Sequence, residues 1–313
     1  MIEKGNWSLY NQRLKDRGNI TIQLSPAAEK QLADLKIKNK GKIGAPFRFG
    51  DSLILGLFAV KCAFKLGYRQ LEGFIEGIKS AVGLDDVPDF RTIDWRMIKL
   101  KGYGLNIDIK HDSHNLDVSI DSSEWKESNS GEYRSMRYGN EKEWRKVHIM
   151  VDTHTKRIYG VKVTNSNVGD SKVLRELVEP IKEYVKRVFA DGAYDSEDNF
   201  RYCDDNNIEP IIPVRRNSTA EQETHRRKRV VEQLRIWKLR GGTLWHNLYL
   251  TRKERDKNQK EWKKASEYYN RESVEQDFGA LKGIFGEYVF SRRDDMMERE
   301  IFAKINLYNS FLM

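Results

Sequence analysis

Apolar residues recur at helical spacing through the first hundred positions. Asp51 to Leu66 carries Ile54, Leu55, Phe58, Ala59, Cys62 and Leu66 on one face, the rhythm of a helix packed on a core. Gly67 is placed to stop it. Tyr68 to Ala81 repeats the pattern with Leu71, Phe74, Ile75 and Ile78, and after a turn from Gly83 to Pro88 a third segment runs from Arg91 to Lys101. Upstream, Ser25-Pro26 opens a short helix reaching Lys36, with proline at its first position. Lys36 to Lys42 is a basic, glycine-containing linker, and residues 1–20 form a polar arm.

From Asn115 the period changes. Leu116, Val118 and Ile120 alternate with Asp117, Ser119 and Asp121, which predicts a strand running into Asp121. Residues 122–144 are a polar excursion. Val147 to Val151 and Ile158 to Thr164 are two more strands, joined through Asp152-Thr153-His154-Thr155. Asp170 to Tyr184 is an amphipathic helix with Val173, Leu174, Leu177, Val178 and Ile181 on one side. Arg187 to Ala190 is a strand ending at Asp191, Ser196 caps a helix to Asn206, and Ile208 to Val214 is a buried strand. Three antiparallel strands followed by βα crossovers make a mixed α/β sheet with flanking helices. That order resembles the ribonuclease-H-like fold. The division expected is a helical region over 1–108 and an α/β domain over 109–313, with Met296 to Met313 as a closing core helix. The helical region is either a helix-turn-helix reader of DNA ends or a packing and dimerisation module, and the first is favoured.

Charge adds a partner. The 313 residues hold 56 Lys and Arg against 47 Asp and Glu, a net charge of +9, with a pI near 9.3. Such an excess points to a polyanion, with nucleic acid the expected partner. It is clustered. Residues 215–264 insert 16 basic and 6 acidic residues, including Arg226, Arg227, Lys228 and Arg229, with Trp237, Trp245 and Trp262 interleaved. Basic residues among aromatics suit a groove that tracks a nucleic-acid backbone. Two distant cysteines, Cys62 and Cys203, argue against a disulfide framework or zinc module and for an intracellular chain. The N-terminus lacks a signal-peptide core, and no apolar run is long enough to cross a bilayer.

Candidate chemistry concentrates in Tyr268 to Lys282, YYNRESVEQDFGALK. On a continuous α-helix Tyr268, Arg271, Glu275 and Lys282 fall within an arc of roughly 60°. A carboxylate between cations suits a metal ligand beside a phosphate, although Arg271 and Glu275 alone are an ordinary i,i+4 ion pair. Metal-assisted phosphodiester chemistry needs several carboxylates converging on one point, with magnesium held by hard oxygens. Asp121 ends the first strand and Asp191 the fourth; if these strands are parallel neighbours, both carboxylates leave the same sheet edge. Asp117 faces the same side as Asp121 and competes with it. Asp152 is discounted as a hairpin residue, Asp195 as a helix cap, and His148 and His154 as incidental to an all-oxygen site.

At these residues the chain resembles the DDE-class insertion-sequence transposases, in the group marked by Tyr-x2-Arg-x3-Glu-x6-Lys. Tyr268, Arg271, Glu275 and Lys282 match that spacing without a gap. Asp121-Ser122-Ser123 resembles the first aspartate motif and Ala190-Asp191-Gly192-Ala193-Tyr194-Asp195 the second. Tyr68 to Phe74 and Asn306-Leu307-Tyr308-Asn309 are further points of likeness, and the resemblance covers about residues 45–313. It implies that Asp121, Asp191 and Glu275 are catalytic and hold two magnesium ions, or manganese in their place. It implies that Tyr268, Arg271 and Lys282 contact DNA near the cleaved phosphate. The partners implied are double-stranded element ends and target DNA, and synapsis of two ends favours a homodimer, working in the cytoplasm at the nucleoid without membrane contact. Glu124 stands where the family usually has glycine. Two other readings are a ribonuclease-H-like nuclease without strand transfer, and a decayed or domesticated copy that binds DNA only.

Overall fold

The computed structural model describes residues 11–12, 15, 19–100, 103–105, 115–127, 144–214, 230 and 252–312. They fall into two compact units. One is drawn from Met1–Asn106, Glu127–Lys142 and Leu281–Met313, the other from Ile107–Lys126 and Glu143–Ala280. The last stretch of chain, expected within the α/β domain, therefore groups with the N-terminal helices. Among the described residues no helix is long and apolar enough to cross a membrane.

In the first unit the helices are α1 (Ile20–Asn39), α2 (Asp51–Phe64), α3 (Tyr68–Ile78) and α4 (Phe90–Lys99). Leu24, Leu53, Ile54, Leu57, Phe58, Leu71, Ile75, Ile93 and Met97 form their common core. Burial of Leu24 and Ala28 draws α1 back to Ile20, so that Pro26 lies inside the helix rather than opening it. α1 also runs beyond Lys36 into the expected linker. α1 and α2 approach closely at Gly50, where a Cβ would stand 2.7 Å from the Gln31 Cα. Asp51 accepts from Lys38 Nζ at 2.7 Å and from Arg96 Nη2 at 2.6 Å. Partial burial pushes its pKa up, but these two cations outweigh that and hold it below the usual range. α2 ends at Lys65, in the left-handed region at φ 55° and ψ 36°, and not at Gly67. Gly67 instead precedes α3 in an extended conformation, its N–H donating to Gln70 Oε1 at 2.8 Å. The unit's last helix, α9 (Asp294–Phe311), contributes Met296 and Ala303 to the same core. Its Glu300 and Lys304 side chains are 1% and 0% exposed and lie 2.9 Å apart.

The second unit is built on a sheet with strand path β3-β2-β1-β4-β5. The strands are β1 (Leu116–Glu127), β2 (Trp144–Asp152), β3 (Ile158–Asn165), β4 (Val185–Ala190) and β5 (Glu209–Ile211). β1 pairs antiparallel with β2, and β2 with β3; β4 lies parallel to β1, and β5 to β4. This is the ribonuclease-H-like order. β1 continues past Asp121 to Glu127, because β2 keeps pairing with it through Lys126 and Trp144, and Trp125 is fully buried there. The rest of the expected excursion, 128–143, lies outside the described residues. The expected helix over 170–184 is broken into a 3-10 turn, α5 (Leu174–Val178) and a second 3-10 stretch, Glu179–Tyr184. Pro180 supplies no N–H to that helix and Ile181 leaves helical geometry at φ −132°. α6 (Glu197–Asp205) is capped by Ser196, whose Oγ accepts from Asn199 N at 3.2 Å, so Asp195 is not the cap. Val118 and Ile120 pack with Leu174, Leu177, Val178, Phe200 and Cys203. The chain then reaches α7 (Arg252–Ala265), a 3-10 turn at Tyr268–Arg271, and α8 (Glu272–Phe285).

Candidate functional site

The sheet register sets two carboxylates side by side. In the parallel pair of β1 and β4, Ile120 lies opposite Ala190. Asp121 follows Ile120 within β1 and Asp191 follows the last residue of β4, and neighbouring strands lie roughly 4.8 Å apart. Asp121 stays in β1 and pairs across to Ile149 of β2. Asp191 leaves the sheet and accepts from Ala193 N at 2.8 Å, which turns the chain through Gly192–Tyr194. Strand alternation puts Asp117, Ser119 and Asp121 on the face away from Val118 and Ile120. On that face Ser119 Oγ donates to the Arg271 carbonyl at 3.0 Å.

The turn that carries Arg271 differs from the expected continuous helix. Glu267 adopts a positive φ of 55°, Tyr268–Arg271 is a 3-10 turn, and the α-helix begins only at Glu272. Residues three apart eclipse on a 3-10 turn, and the Arg271 guanidinium lies over the Tyr268 ring, 5.9 Å from its centroid. Tyr268 also packs against Trp262, with ring centroids 5.5 Å apart. Trp262 is 6% exposed and belongs to the core, so it is no stacking platform. The hairpin between β2 and β3 holds the start of α8: Lys156 Nζ donates to Ser273 Oγ at 2.7 Å, and Ser273 Oγ to the Thr153 carbonyl at 3.4 Å.

Arg271 ties the site together. Its Nη1 donates to Asp121 Oδ2 at 3.3 Å, and its Nη2 donates to Glu275 Oε1. Burial pushes the Asp121 carboxyl up to about 6; the charges of Asp191 and Glu275 add to that push, while the Ser122 N–H and Arg271 oppose it. Burial likewise drives the Tyr268 hydroxyl up to about 12, with Asp191, Asp121 and Glu275 contributing. The three carboxylates are thus within electrostatic reach of one another. Asp121 and Arg271 are each 19% exposed and Glu275 is 53% exposed, so the site opens on the Glu275 side. Among the described residues no three His, Cys, Asp or Glu side chains are gathered closely enough to hold a metal ion. Asp121, Arg271 and Glu275 are linked directly, and Asp191 stands beside them by register. Lys282 lies further along α8, about 10 Å by helical rise. Arg226, Arg227, Lys228, Arg229, Trp237 and Trp245 lie outside the described residues.

The rival acidic residues have other work. Asp117 is gripped by Arg187, its register partner on β4, with Nε 2.8 Å from Oδ1 and Nη2 on Oδ2. Arg187 Nη1 also donates to Glu267 Oε2 at 2.7 Å. Asp152 accepts from Thr155 N at 3.0 Å and from Thr155 Oγ1, closing the hairpin turn. Glu124 is exposed, and three positions along an unbroken strand it faces away from Asp121. His148 is buried against Thr164, and His154 Nε2 lies 3.7 Å from Asp117. Arg187, Ser119 and Ser273 were not singled out in the sequence. The same-face parity of Asp117, Ser119 and Asp121 points to Ser119 alone.

The chain matches a family model described as a transposase DDE domain over residues 89–310, and a second so described over residues 15–130. Among solved structures it is similar to a piggyBac transposase synaptic complex with hairpin DNA, at 12% identity and a TM-score of 0.43. That match covers 94% of this chain and 71% of the other.

Proposed function

Because the chain belongs to the transposase DDE-domain family, an enzyme family of phosphodiester cleavage and transesterification, we propose that Asp121, Asp191 and Glu275 are its catalytic carboxylates. The observation that carries this reading is the single guanidinium touching both Asp121 and Glu275, with Asp191 just past the end of the adjoining strand. The donor chemistry fits a divalent ion: three hard carboxylate oxygens, a mutual repulsion that a cation relieves, and a charge already sitting between two of them. Asp121, Asp191 and Glu275 would hold magnesium or manganese, two ions for the site. When bound, such ions activate the attacking oxygen and stabilise the leaving one. Occupation requires Glu275 to release Arg271, and the exposure of Glu275 leaves it free to turn.

The chain's own residues have defined parts in this scheme. Arg271, released toward the substrate and backed by the Tyr268 ring, stabilises the charge that grows on the phosphate oxygens. Tyr268 and Lys282 contact the same strand, and the basic run from Arg226 to Arg229 follows its backbone. In cleavage a water oxygen bonds to the phosphorus at the element end and the phosphorus–O3′ bond breaks, leaving a 3′-hydroxyl. In strand transfer that hydroxyl attacks a target phosphate in line and displaces the target's own 3′-oxygen. The partners are double-stranded element ends and target DNA, joined by two copies of the chain at the nucleoid.

A labelled duplex carrying the element's own end, incubated with magnesium or manganese, tests the assignment. Wild type cuts, and Asp191→Asn and Glu275→Gln bind without cutting. Undiminished cutting by both variants would remove these carboxylates from the mechanism. Binding without cutting by wild type would leave a DNA-binding protein.

A further inference from the structure

The first unit contains a cavity of about 640 Å³, within the size range of sites that enclose a small organic ligand. It takes no residue from the carboxylate site. Lys61 and Lys65 line it from the end of α2, Tyr68 from the start of α3, Asp94 from α4, and Arg292 and Arg293 from the segment before α9. Four cations and one carboxylate thus line it, and the buried Glu300 carboxylate also acts on Lys61. Arg293 is answered by Asp295, Nη2 to Oδ2 at 2.9 Å. Lys61 is largely buried, with its Nζ 5.0 Å from the centroid of the Tyr68 ring. Lys65 and Arg292 are exposed at the rim, and among the described residues neither has a carboxylate within ion-pair distance. The Tyr68 hydroxyl is buried and lies beside the Asp94 carboxylate. Ile98 and Met296 add an apolar wall.

The arginine side of the cavity is held firmly. Glu300, itself 1% exposed, accepts from Phe290 N at 3.1 Å and from Ser291 N at 2.9 Å and Ser291 Oγ at 2.8 Å. The strap fixes the two residues that lead into Arg292. Lys65 takes a left-handed backbone at the end of α2, and its Nζ lies against Gly286, 3.2 Å from where a Cβ there would stand.

We propose that this cavity is a nucleotide subsite for a DNA strand, separate from the carboxylate site. One phosphate sits between Lys65 and Arg292, and the attached sugar or base covers Tyr68, Ile98 and Met296. A bare inorganic anion would satisfy the rim and leave the apolar wall wet, whereas a nucleotide unit covers both. The inference rests on the reading of this chain as an enzyme that handles DNA, and it adds where a strand is gripped away from the chemistry.

The test uses the full chain. Acetylation of Lys65 is followed by mass spectrometry alone, with a DNA duplex, and with a deoxynucleoside monophosphate. In parallel, duplex affinity is measured by fluorescence anisotropy across a salt series for wild type and for Lys65→Gly with Arg292→Gln. Glycine takes the left-handed position without strain, so that double variant keeps the end of α2. Lys162→Gln with Lys182→Gln, two surface lysines paired with Glu176 and Glu179, is a control of equal charge change. The expected result is protection of Lys65 by duplex, a loss of about tenfold or more in affinity for the double variant only, and a salt slope shallower by about 1–2. Duplex binding by wild type with Lys65 unprotected overturns the subsite, as does an equal loss in the control. Protection by the monophosphate but not by duplex overturns the assignment to a strand. Wild type that binds no DNA overturns the transposase reading, and this subsite with it.

Discussion

Arg271 Nη1 stands 3.3 Å from Asp121 Oδ2, across 150 residues of sequence. The contact depends on both ends being fixed. Asp121 is fixed by its place in β1, and the Arg271 carbonyl by the hydroxyl of Ser119 two residues before Asp121. Arg271→Ala is expected to lower single-turnover cleavage by roughly 100-fold or more, the scale for removing a preorganised charge from a transition state. Arg271→Lys recovers part of this, because a point charge cannot fork between two carboxylates. Cleavage by Arg271→Ala at the wild-type rate would show that the guanidinium serves packing alone.

Asp117 and Asp121 share a strand face, but their surroundings predict opposite phenotypes. Asp117 is bound by Arg187, and its side chain is 10% exposed. Asp117→Asn leaves that guanidinium with Glu267 alone and is expected to cost about 2 kcal/mol of stability, with cleavage per folded molecule retained. Asp121→Asn relieves repulsion from Asp191 and Glu275, keeps the fold, and loses cleavage. Urea titration beside a cleavage assay separates the two. A catalytic defect in Asp117→Asn at full stability would reverse the assignment.

The two aspartates on adjoining strands were legible in the sequence, because alternation of Leu116, Val118 and Ile120 fixes both the strand and its faces. The choice between Asp117 and Asp121 was not, since it turns on Arg187, whose pairing with Asp117 exists only once β4 lies parallel to β1. The sequence predicts one helix over 268–282, because periodicity does not register a local tightening. The 3-10 turn at Tyr268–Arg271 comes from Glu267 taking a positive φ while paired to Arg187. The close of α2 was misplaced for a similar reason: glycine is the usual left-handed residue, but Lys65 occupies that conformation here and leaves Gly67 to begin α3. The break near Ile181 could have been read from Pro180 alone.

His148 gives the second unit a dependence on pH. It is fully buried, with Nε2 3.0 Å from Thr164 Oγ1 and Nδ1 3.4 Å from Asp170 Oδ1. Burial pushes its pKa down to about 4; Asp170 and Glu176 oppose that, and Lys146 reinforces it. The unfolded chain therefore binds a proton near pH 6.5 that the folded chain refuses until about pH 4. Stability from this group is complete above pH 6.5 and declines as pH falls through that interval. His148→Gln keeps a partner for Thr164 and removes the titration. Its denaturation midpoint should fall less between pH 6.5 and pH 4 than that of wild type. Parallel pH profiles for the two proteins would place the acid sensitivity elsewhere.

The buried pair of Glu300 and Lys304 makes a sharper demand on the first unit. Both side chains are essentially inaccessible, and Lys304 Nζ also donates to the Tyr288 carbonyl at 2.7 Å. Removing one charge strands the other: Glu300→Gln is expected to cost about 3–5 kcal/mol, and Lys304→Met a similar amount. The double variant is expected to recover part of that loss, because of the buried charges only Lys61, on which Glu300 also acts, then lacks this carboxylate. A carboxamide still accepts hydrogen bonds from Phe290 N and Ser291 N, so the charge is tested apart from the strap. Urea titrations of the four proteins complete a double-mutant cycle. Strictly additive losses would show that the two residues stabilise the helix independently, and that the strap on Phe290 and Ser291 accounts for the burial of Glu300.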